Sequence, residues 1–322
     1  MKSKKHNFQT IIVAGPTASG KTKLSLDLAQ YIDAEIINAD SMQVYRGLEI
    51  LTSMPTEGEL SLVKNHLFRI FQFNEHCSVG KWLELSTIAL EKIKNKSKPA
   101  IIVGGSGMYL NAAINGLVSI PSVKDETRKL IKEVFENIGQ KMFYEKLSKI
   151  DPLGAKKINS NDTQRLLRLY EVIHTTGKPI WQWQKYHQMP GILNESLKIL
   201  IMPEKNILYS RINQRFEDMM NLGALDQLKK LMDLNNSIHK NAKNILGAKH
   251  LLDYINGKKS IEESIELAKR DTRRYAKRQL TWFRNTFNED RVFSFIYKGQ
   301  KNVISSILEL LENKAEKIEK FN

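Results

Sequence analysis

One short segment of the chain combines glycines, a lysine and a hydroxyl in a spacing typical of phosphate binding. The segment Gly15-Pro16-Thr17-Ala18-Ser19-Gly20-Lys21-Thr22 fits the pattern G-x-x-x-x-G-K-[ST]. In such a loop the backbone amides turn inward around an anion, the lysine adds positive charge and the last hydroxyl suits Mg²⁺. The segment therefore predicts a site for a diphosphate or a triphosphate, with Thr22 as the metal ligand, and does not distinguish the two.

Two further polar side chains follow apolar segments. Asp40 follows the segment from Ala34 to Asn38 and one alanine, and Ser106 follows Pro99 to Val103 and two glycines. The carboxyl ends of parallel strands share one sheet edge, where ligands bind. Asp40 is interpreted as a base, a metal ligand or a helix cap, and Gln43 fits either kind of role. Ser106 lies either in a ligand-facing turn or in an ordinary glycine turn.

A long amphipathic segment from Ile261 to Phe287 carries many cations. On a helix they would fill one half of the surface, while apolar and small residues fill the other half. The cations are Lys269, Arg270, Arg273, Arg274, Lys277 and Arg278, and the opposite arc contains Ile265, Ala268, Thr272, Tyr275, Ala276, Gln279, Trp282 and Phe283. Either nucleic-acid phosphate neutralises this face or water solvates it. A second group, Arg165 and Arg168, either binds phosphate or pairs with Glu171.

The composition supports a nucleic-acid partner. Lys and Arg number 50 against 35 Asp and Glu, which gives a net charge of +15 over 322 residues. Such a surface attracts polyanions. The apolar runs are too short for a transmembrane helix, so no membrane partner is expected. The single Cys is typical of the reducing cytoplasm, which is the expected location.

The elements that must position these residues alternate between strands and helices. A strand at Ile11 to Ala14 precedes the glycine-containing segment, and a helix from Lys21 to Tyr31 follows it. This alternation predicts an α/β fold with a P-loop core, whose parallel sheet is flanked by helices. Helical periodicity without strand runs predicts an inserted all-helical lobe at 119–196, with the core formed by 1–118 and 197–322.

Several motifs in order along the chain resemble the tRNA dimethylallyltransferases. They are GPTASGKT, INADSMQVYRGLEI from Ile37, GGSGMYL from Gly104, INSNDTQRLLRLYEV with TGKP from Ile158, and RRYAKRQLTWFR from Arg273. Two segments depart from the family's usual pattern, at Leu51 to Pro55, where GTAKP is common, and at Lys243 to Lys249, where an arginine and an aromatic residue are common.

The resemblance implies transfer of a dimethylallyl group from dimethylallyl diphosphate to N6 of the adenosine 3′ of a tRNA anticodon. Asp40 would be the base, while Lys21, Arg215 and Mg²⁺ on Thr22 would stabilise the departing diphosphate. The positions matching the family's tRNA contacts are Asp40, Ser41, Met42, Gln43, Ser106, Arg128, Gln164, Arg165, Leu166, Leu167 and Arg168. In the cationic segment from Ile261 to Phe287, Arg274 and Arg278 are also expected to bind tRNA.

A monomer acting on the anticodon stem-loop is expected. Two other functions remain open on the residues alone: a small-molecule or nucleotide kinase that turns over ATP, and a P-loop protein that binds RNA without chemistry.

Overall fold

Buried apolar segments of the chain assemble into strands, most of them in one parallel sheet. The computed structural model describes residues 10–186, 188–193, 195–235 and 240–321. In chain order the strands are β1 (Thr10–Ala14), β2 (Glu35–Asn38), β3 (Asn65–His66), β4 (Ala100–Gly104), β5 (Leu117–Val118), β6 (Gln188–Met189), β7 (Leu197–Ile201) and β8 (Arg291–Phe293). Six of them form a sheet with the order β3-β2-β4-β1-β7-β8, in which every pair is parallel.

Helices connect these strands. They are α1 (Lys21–Ile32), α2 (Glu57–Ser61), α3 (Val79–Asn95), α4 (Gly107–Asn115), α5 (Asp125–Ile150), α6 (Pro152–Lys156), α7 (Thr163–Thr176), α8 (Ile180–Tyr186), α9 (Lys205–Asn221), α10 (Ala224–Asn235), α11 (Lys240–Lys243), α12 (Ala248–Ile255), α13 (Ile261–Thr286) and α14 (Lys301–Phe321). The predicted α/β fold with a P-loop core and a parallel sheet is confirmed.

The described residues divide into two units. The sheet unit takes its residues from Met1–Ile114 and Leu193–Asn322, and the helical unit from Asn115–Ile192. In the sheet unit, β1 lies between β4 and β7, and the side chains of Ile11, Ile12 and Val13 are fully buried. Burial on both faces explains why this strand reads as an uninterrupted apolar run.

The helical unit has an apolar core of its own. Ile131, Phe143, Leu147 and Leu166 lie in it and are almost completely buried. The expectation of a lobe without strands was wrong in one detail, because β5 and β6 pair antiparallel within this unit. Each contains two residues, too few to show a strand pattern in the sequence.

Two short strands of the parallel sheet were also missed. These are β3, with two residues, and β8, with three, and they occupy the two edges of the sheet. Pairing with β2 and β7 decides their conformation, and local sequence signals it weakly. Within the described residues, no helix combines the length and the apolar character that crossing a membrane requires.

Candidate active site

The phosphate-binding motif forms a loop between β1 and α1. Ala18 and Gly20 have positive φ angles of 67° and 91°, which turn the backbone sharply before the helix begins. A Cβ atom on Gly20 would lie 2.4 Å from the carbonyl oxygen of Tyr297, and one on Gly15 would lie 2.6 Å from that of Ile201. The loop is therefore packed tightly from behind. Its glycines are required by these close approaches as well as by the turn.

Thr17, within this loop, is held from two sides. Its hydroxyl accepts a hydrogen bond from Arg215 Nη2 on α9 at 2.5 Å, and its backbone N–H donates to Gln279 Oε1 on α13 at 2.9 Å. The sequence resemblance pointed to Arg215 for the diphosphate end of the site, and the structure places it beside the loop. Two helices from the second half of the chain thus fix the conformation of the phosphate loop.

Asp40 follows β2 at the same edge of the sheet. Its Oδ1 accepts a hydrogen bond from the backbone N–H of Met42 at 2.9 Å, and its own N–H donates to Asn38 Oδ1 at 2.9 Å. This bond closes a turn. The residues after Asp40 are not helical and the next helix begins at Glu57, so the interpretation as a helix cap was wrong. The side chain also lines the cleft described below, so the turn and a chemical role are compatible at this position.

Ser106 lies next to Asp40, at the end of β4. Its hydroxyl accepts from the backbone N–H of Ser41 at 2.9 Å and lies 3.2 Å from the Ser41 hydroxyl. Gly104 makes this proximity possible, because a Cβ there would lie 2.1 Å from the carbonyl oxygen of Ala39. The turn before Ser106 therefore needs glycine because the segment after β2 packs closely against it. Ser106 in turn holds the segment that carries Asp40.

One cleft in the sheet unit brings Thr17, Asp40 and Arg215 together, whereas Lys21, Thr22 and Ser106 are not part of its lining. It has a volume of about 260 Å³. Its polar lining includes Thr17, Asp40, Ser41, Arg215, Tyr275 and Arg278. Its apolar lining includes Leu51, Ile212, Phe216, Met219, Ile245 and Leu246. Charged and apolar side chains in one small cleft suit a ligand that combines an anionic group with a hydrocarbon group.

The two segments that depart from the family's usual pattern both line this cleft. Leu51, Thr52 and Ser53 come from the first, and Asn244, Ile245 and Leu246 from the second. Gln43 ties the first segment in place, since its Nε2 donates to the carbonyl oxygens of Thr52 and Ser53 at 3.0 and 3.1 Å. Gln43 is itself buried, so its side chain serves this structural contact.

The cations of the site are desolvated. Burial lowers the pKa of Lys21 to about 8, with the Asp40 carboxylate opposing the shift and Arg215 adding to it. Burial also lowers the pKa of Arg215 to about 10, aided by Arg211 and opposed by Asp40. Charged groups without full hydration are stabilised by a bound counterion. The site is therefore prepared for an anion.

Tyr275 and Gln279 are functional candidates that the sequence did not single out. Their positions on α13 placed them on the packing arc of the helix. Tyr275 lines the cleft, and its hydroxyl contacts Ser106. Burial, with the charge of Asp40, raises the pKa of this phenol above its usual value. The sequence predicts that all residues on this side of α13 are buried, but it does not show which of them face the cleft and which face the core.

The cationic face of α13 is smaller than expected. Ala268, Thr272, Ala276 and Phe283 are buried as the spacing predicted. The expectation that Lys269 belongs to the exposed face was wrong. Lys269 is only 7% exposed. Its Nζ lies 2.8 Å from Glu217 and from Glu266.

The remaining arginines of α13 differ in their surroundings. Asp271 lies 3.3 Å from Arg270 and 3.5 Å from Arg274, so part of the charge is compensated within the protein. Arg274 and Arg278 remain exposed, and the guanidinium of Arg278 lies 5.6 Å from the centre of the Tyr275 ring. A smaller group of cations is thus available to a polyanion at the mouth of the cleft, where Arg278 is part of the lining.

In the helical unit, the predicted tRNA-contacting residues lie on α5 and α7. Arg128 lies 3.7 Å from Asp125, and its buried Nε has no hydrogen-bond partner. Gln164 and Arg165 are exposed near the amino end of α7. Arg165 lies 3.3 Å from Asp162. Arg168 lies 3.6 Å from Glu171, which was one of the two partners expected for it.

Two leucines of the same segment serve the core of the helical unit. Leu166 is fully buried in that core, and Leu167 packs against it. The Leu166 side chain is therefore inaccessible to a ligand in this conformation, and the tRNA contact expected at this position, which stays a prediction, would have to involve its backbone. The segment presents Gln164, Arg165 and Arg168 on its accessible side.

Comparisons with known proteins agree with this geometry. A sequence profile of the family described as IPP transferase matches residues 43–286. A tRNA dimethylallyltransferase from Bartonella quintana is 42% identical over 280 residues, covering 87% of this chain and 94% of the relative. One from Ehrlichia canis is 41% identical over 278 residues, covering 86% and 92%.

Solved structures extend the similarity to the fold. The tRNA isopentenylpyrophosphate transferase of Bacillus halodurans has a TM-score of 0.70 and 34% identity, covering 97% of this chain and 98% of that one. A eukaryotic dimethylallyltransferase described as acting on tRNA has a TM-score of 0.72 and 29% identity, covering 85% and 70%. Because a family profile matches residues 43–286, and relatives are 41% and 42% identical over 86% and 87% of it, the chain belongs to the IPP transferase family.

Proposed function

We propose that this protein transfers a dimethylallyl group from dimethylallyl diphosphate to N6 of adenosine 37 of tRNA, directly 3′ of the anticodon, and releases diphosphate. One observation carries the proposal: Thr17 of the phosphate loop, Asp40 and Arg215 line a single cleft together with an apolar wall. The names of the relatives, which are tRNA dimethylallyltransferases, support the same reaction.

The donor fits the cleft in both of its parts. Its diphosphate would lie on the phosphate loop, where the amino end of α1, Lys21 and Arg215 provide positive charge. Its five-carbon group would contact the apolar wall that includes Phe216 and Ile245.

Asp40 would act on the acceptor. The exocyclic amine of adenine is a weak nucleophile, because its lone pair is delocalised into the ring. In the transfer, a bond forms from N6 to the allylic carbon, the bond from that carbon to the diphosphate oxygen breaks, and the amine proton passes to the Asp40 carboxylate. The departing diphosphate gains negative charge, which Lys21 and Arg215 stabilise.

A magnesium ion fits the residues at the loop. Mg²⁺ is commonly held by one or two protein oxygens together with phosphate oxygens and water. Thr22, partly exposed in the first turn of α1, offers a hydroxyl of this kind. The nearby Ser19 hydroxyl is buried without a hydrogen-bond partner. We propose that Thr22 holds Mg²⁺, which when bound would neutralise charge on the diphosphate.

The tRNA would contact two sets of residues. In the sheet unit these are Asp40 to Gln43, Ser106, Arg274 and Arg278, and in the helical unit Arg128, Gln164, Arg165 and Arg168. The exposed arginines would bind backbone phosphates. A loop base is unstacked at small cost, so the anticodon loop is the part of tRNA suited to enter a narrow cleft. We propose that the protein acts as a cytoplasmic monomer.

The reaction is tested by label transfer. Purified protein is incubated with Mg²⁺, unmodified tRNA and labelled dimethylallyl diphosphate, with labelled ATP in a parallel reaction. Label in tRNA, mapped to adenosine 37 and absent with Asp40→Ala, is the expected result. Phosphate release from ATP without transfer would instead identify a kinase or ATPase, and tRNA binding with neither activity would identify an RNA-binding protein.

A further inference from the structure

A buried glutamine on α13 joins two turns at the carboxyl edge of the parallel sheet. Gln279 is 7% exposed, and both ends of its amide are hydrogen-bonded. Its Oε1 accepts from the backbone N–H of Thr17 at 2.9 Å, and its Nε2 donates to the backbone carbonyl of Gly105 at 2.8 Å. Thr17 belongs to the phosphate loop, whereas Gly105 directly precedes Ser106. One side chain thus spans the turn after β1 and the turn after β4.

The contact continues on both sides toward the reacting groups. On one side, Thr17 accepts a hydrogen bond from Arg215. On the other, the hydroxyl of Ser106 accepts from the backbone N–H of Ser41, the residue after Asp40. A continuous series of contacts therefore runs from the diphosphate end of the cleft to the carboxylate, and Gln279 is the link between its two halves.

The close packing around Gln279 shows that it has little freedom. A Cβ atom on Gly105 would lie 2.6 Å from Gln279 Nε2 and 2.7 Å from the carbonyl oxygen of Gly15. One helical turn earlier on the same helix, the Tyr275 hydroxyl contacts Ser106. The glycine leaves room for the amide, and α13 contacts the turn after β4 at two successive positions on one face.

We propose that Gln279 is a positioning residue that fixes the distance between the diphosphate cradle and Asp40. The inference rests on the proposed transfer reaction, in which leaving group and base act on atoms of two different substrates at the same time. A misplacement of about 1 Å in such an arrangement can cost about 100-fold in rate. Neither substrate needs to touch Gln279 for this role.

The proposal predicts a separation of turnover from binding. In Gln279→Met the side chain keeps a similar volume and loses both hydrogen bonds, and in Gln279→Ala it loses the packing as well. We expect kcat to fall by about 100-fold in both. The dissociation constants of inorganic diphosphate and of tRNA, measured separately, should stay within about threefold of wild type, because the binding groups remain.

A matched control comes from an exposed glutamine. Gln214 Nε2 on α9 donates a hydrogen bond to Asp218 Oδ1 at 3.1 Å, and Gln214→Met should leave kcat at the wild-type value. Thermal melting shows whether each variant is folded. A folded Gln279→Met with wild-type kcat would overturn the proposal. So would a loss of diphosphate affinity equal to the loss in kcat/KM, because it would make Gln279 a donor-binding residue.

The outcome is distinguishable from failure of the proposed function. Label transfer by the wild-type protein is the common reference for all variants. Absence of transfer in the wild type refutes the proposed reaction, whereas transfer that persists at full rate in Gln279→Met refutes the positioning role alone.

Discussion

Arg215 donates a hydrogen bond to the hydroxyl of Thr17, so a helix from the second half of the chain is attached to the phosphate loop at its centre. The guanidinium is desolvated there, which lowers its pKa to about 10. It nevertheless stays cationic at neutral pH, and it lies where the departing diphosphate would gain charge.

Arg215→Ala should therefore lose turnover. Removing one preorganised donor from a developing negative charge costs about 3 to 4 kcal/mol of barrier, a loss of about 100- to 1000-fold in kcat. Thr17→Ala removes the contact but keeps the charge, so its loss should be smaller. In single-turnover assays the variant that carries both substitutions should be at most about threefold slower than Arg215→Ala, because the two residues act through one contact. Fully additive losses would contradict that coupling.

Asp40→Asn tests the base. The asparagine retains an oxygen that can accept the N–H of Met42, so the local turn is preserved. It cannot accept the amine proton, so kcat should fall by at least about 100-fold. Affinity for tRNA, measured by filter binding, should stay close to wild type. Turnover retained in a folded Asp40→Asn protein would exclude the proposed role.

Lys21 predicts a pH dependence of donor binding. Burial lowers its pKa to about 8, and only the cationic form attracts the diphosphate. Apart from the titration of the ligand itself, affinity should be constant while Lys21 is fully charged, below about pH 7, and should weaken by up to about tenfold per pH unit above pH 8. A bound diphosphate favours the cation, so binding in the alkaline range should take up a proton.

The measurement is calorimetry with inorganic diphosphate at several pH values, in buffers of different ionisation enthalpy. Lys21→Arg provides the control, since its guanidinium stays charged across the range and cancels the titration of the ligand itself. The ratio of the two affinities should be flat at low pH and diverge above pH 8. A ratio independent of pH would show that Lys21 does not titrate in this range.

The exposed arginines of α13 predict a salt dependence. Each phosphate contact removed should make the slope of log affinity against log salt less negative by about 0.7 to 0.9. Arg274→Ala and Arg278→Ala should each show this change in tRNA binding. Lys98, which precedes β4 at the opposite edge of the sheet and pairs with Asp33 at 2.7 Å, offers a control of equal charge. An unchanged slope in both arginine variants would show that α13 is not part of the tRNA-binding surface.

The sequence predicted the elements that carry strong local patterns. The order of β1, phosphate loop and α1 follows from an apolar run, two glycines and a helical spacing. Asp40 and Ser106 were expected at one sheet edge, and the structure joins their segments through Ser41. These predictions succeeded because parallel strands place their carboxyl ends together whatever the details of packing.

Other features depend on contacts between distant segments. Lys269 is buried because Glu217, on a different helix, lies beside it, and the charge pattern of α13 alone gave no sign of this. Gln279 was assigned to core packing, since a polar residue on a buried arc can serve either the core or a cleft. Its two backbone partners lie in the turns after β1 and β4, far from it in sequence, and only the folded structure brings them together.

The support behind the phosphate loop bears on how the protein is made. Gly20 packs against the carbonyl oxygen of Tyr297. The backbone N–H of Tyr297 donates to the carbonyl oxygen of Ser19 at 3.2 Å, and its hydroxyl donates to Asp27 Oδ2 at 2.9 Å. Contacts between residues this far apart in sequence form slowly, because a long loop must close first. Synthesis proceeds from the amino terminus, so the phosphate loop is made early, whereas Tyr297, which packs behind it, is made near the end. A nascent chain that ends before Tyr297 therefore lacks this support, although it already contains the whole phosphate loop.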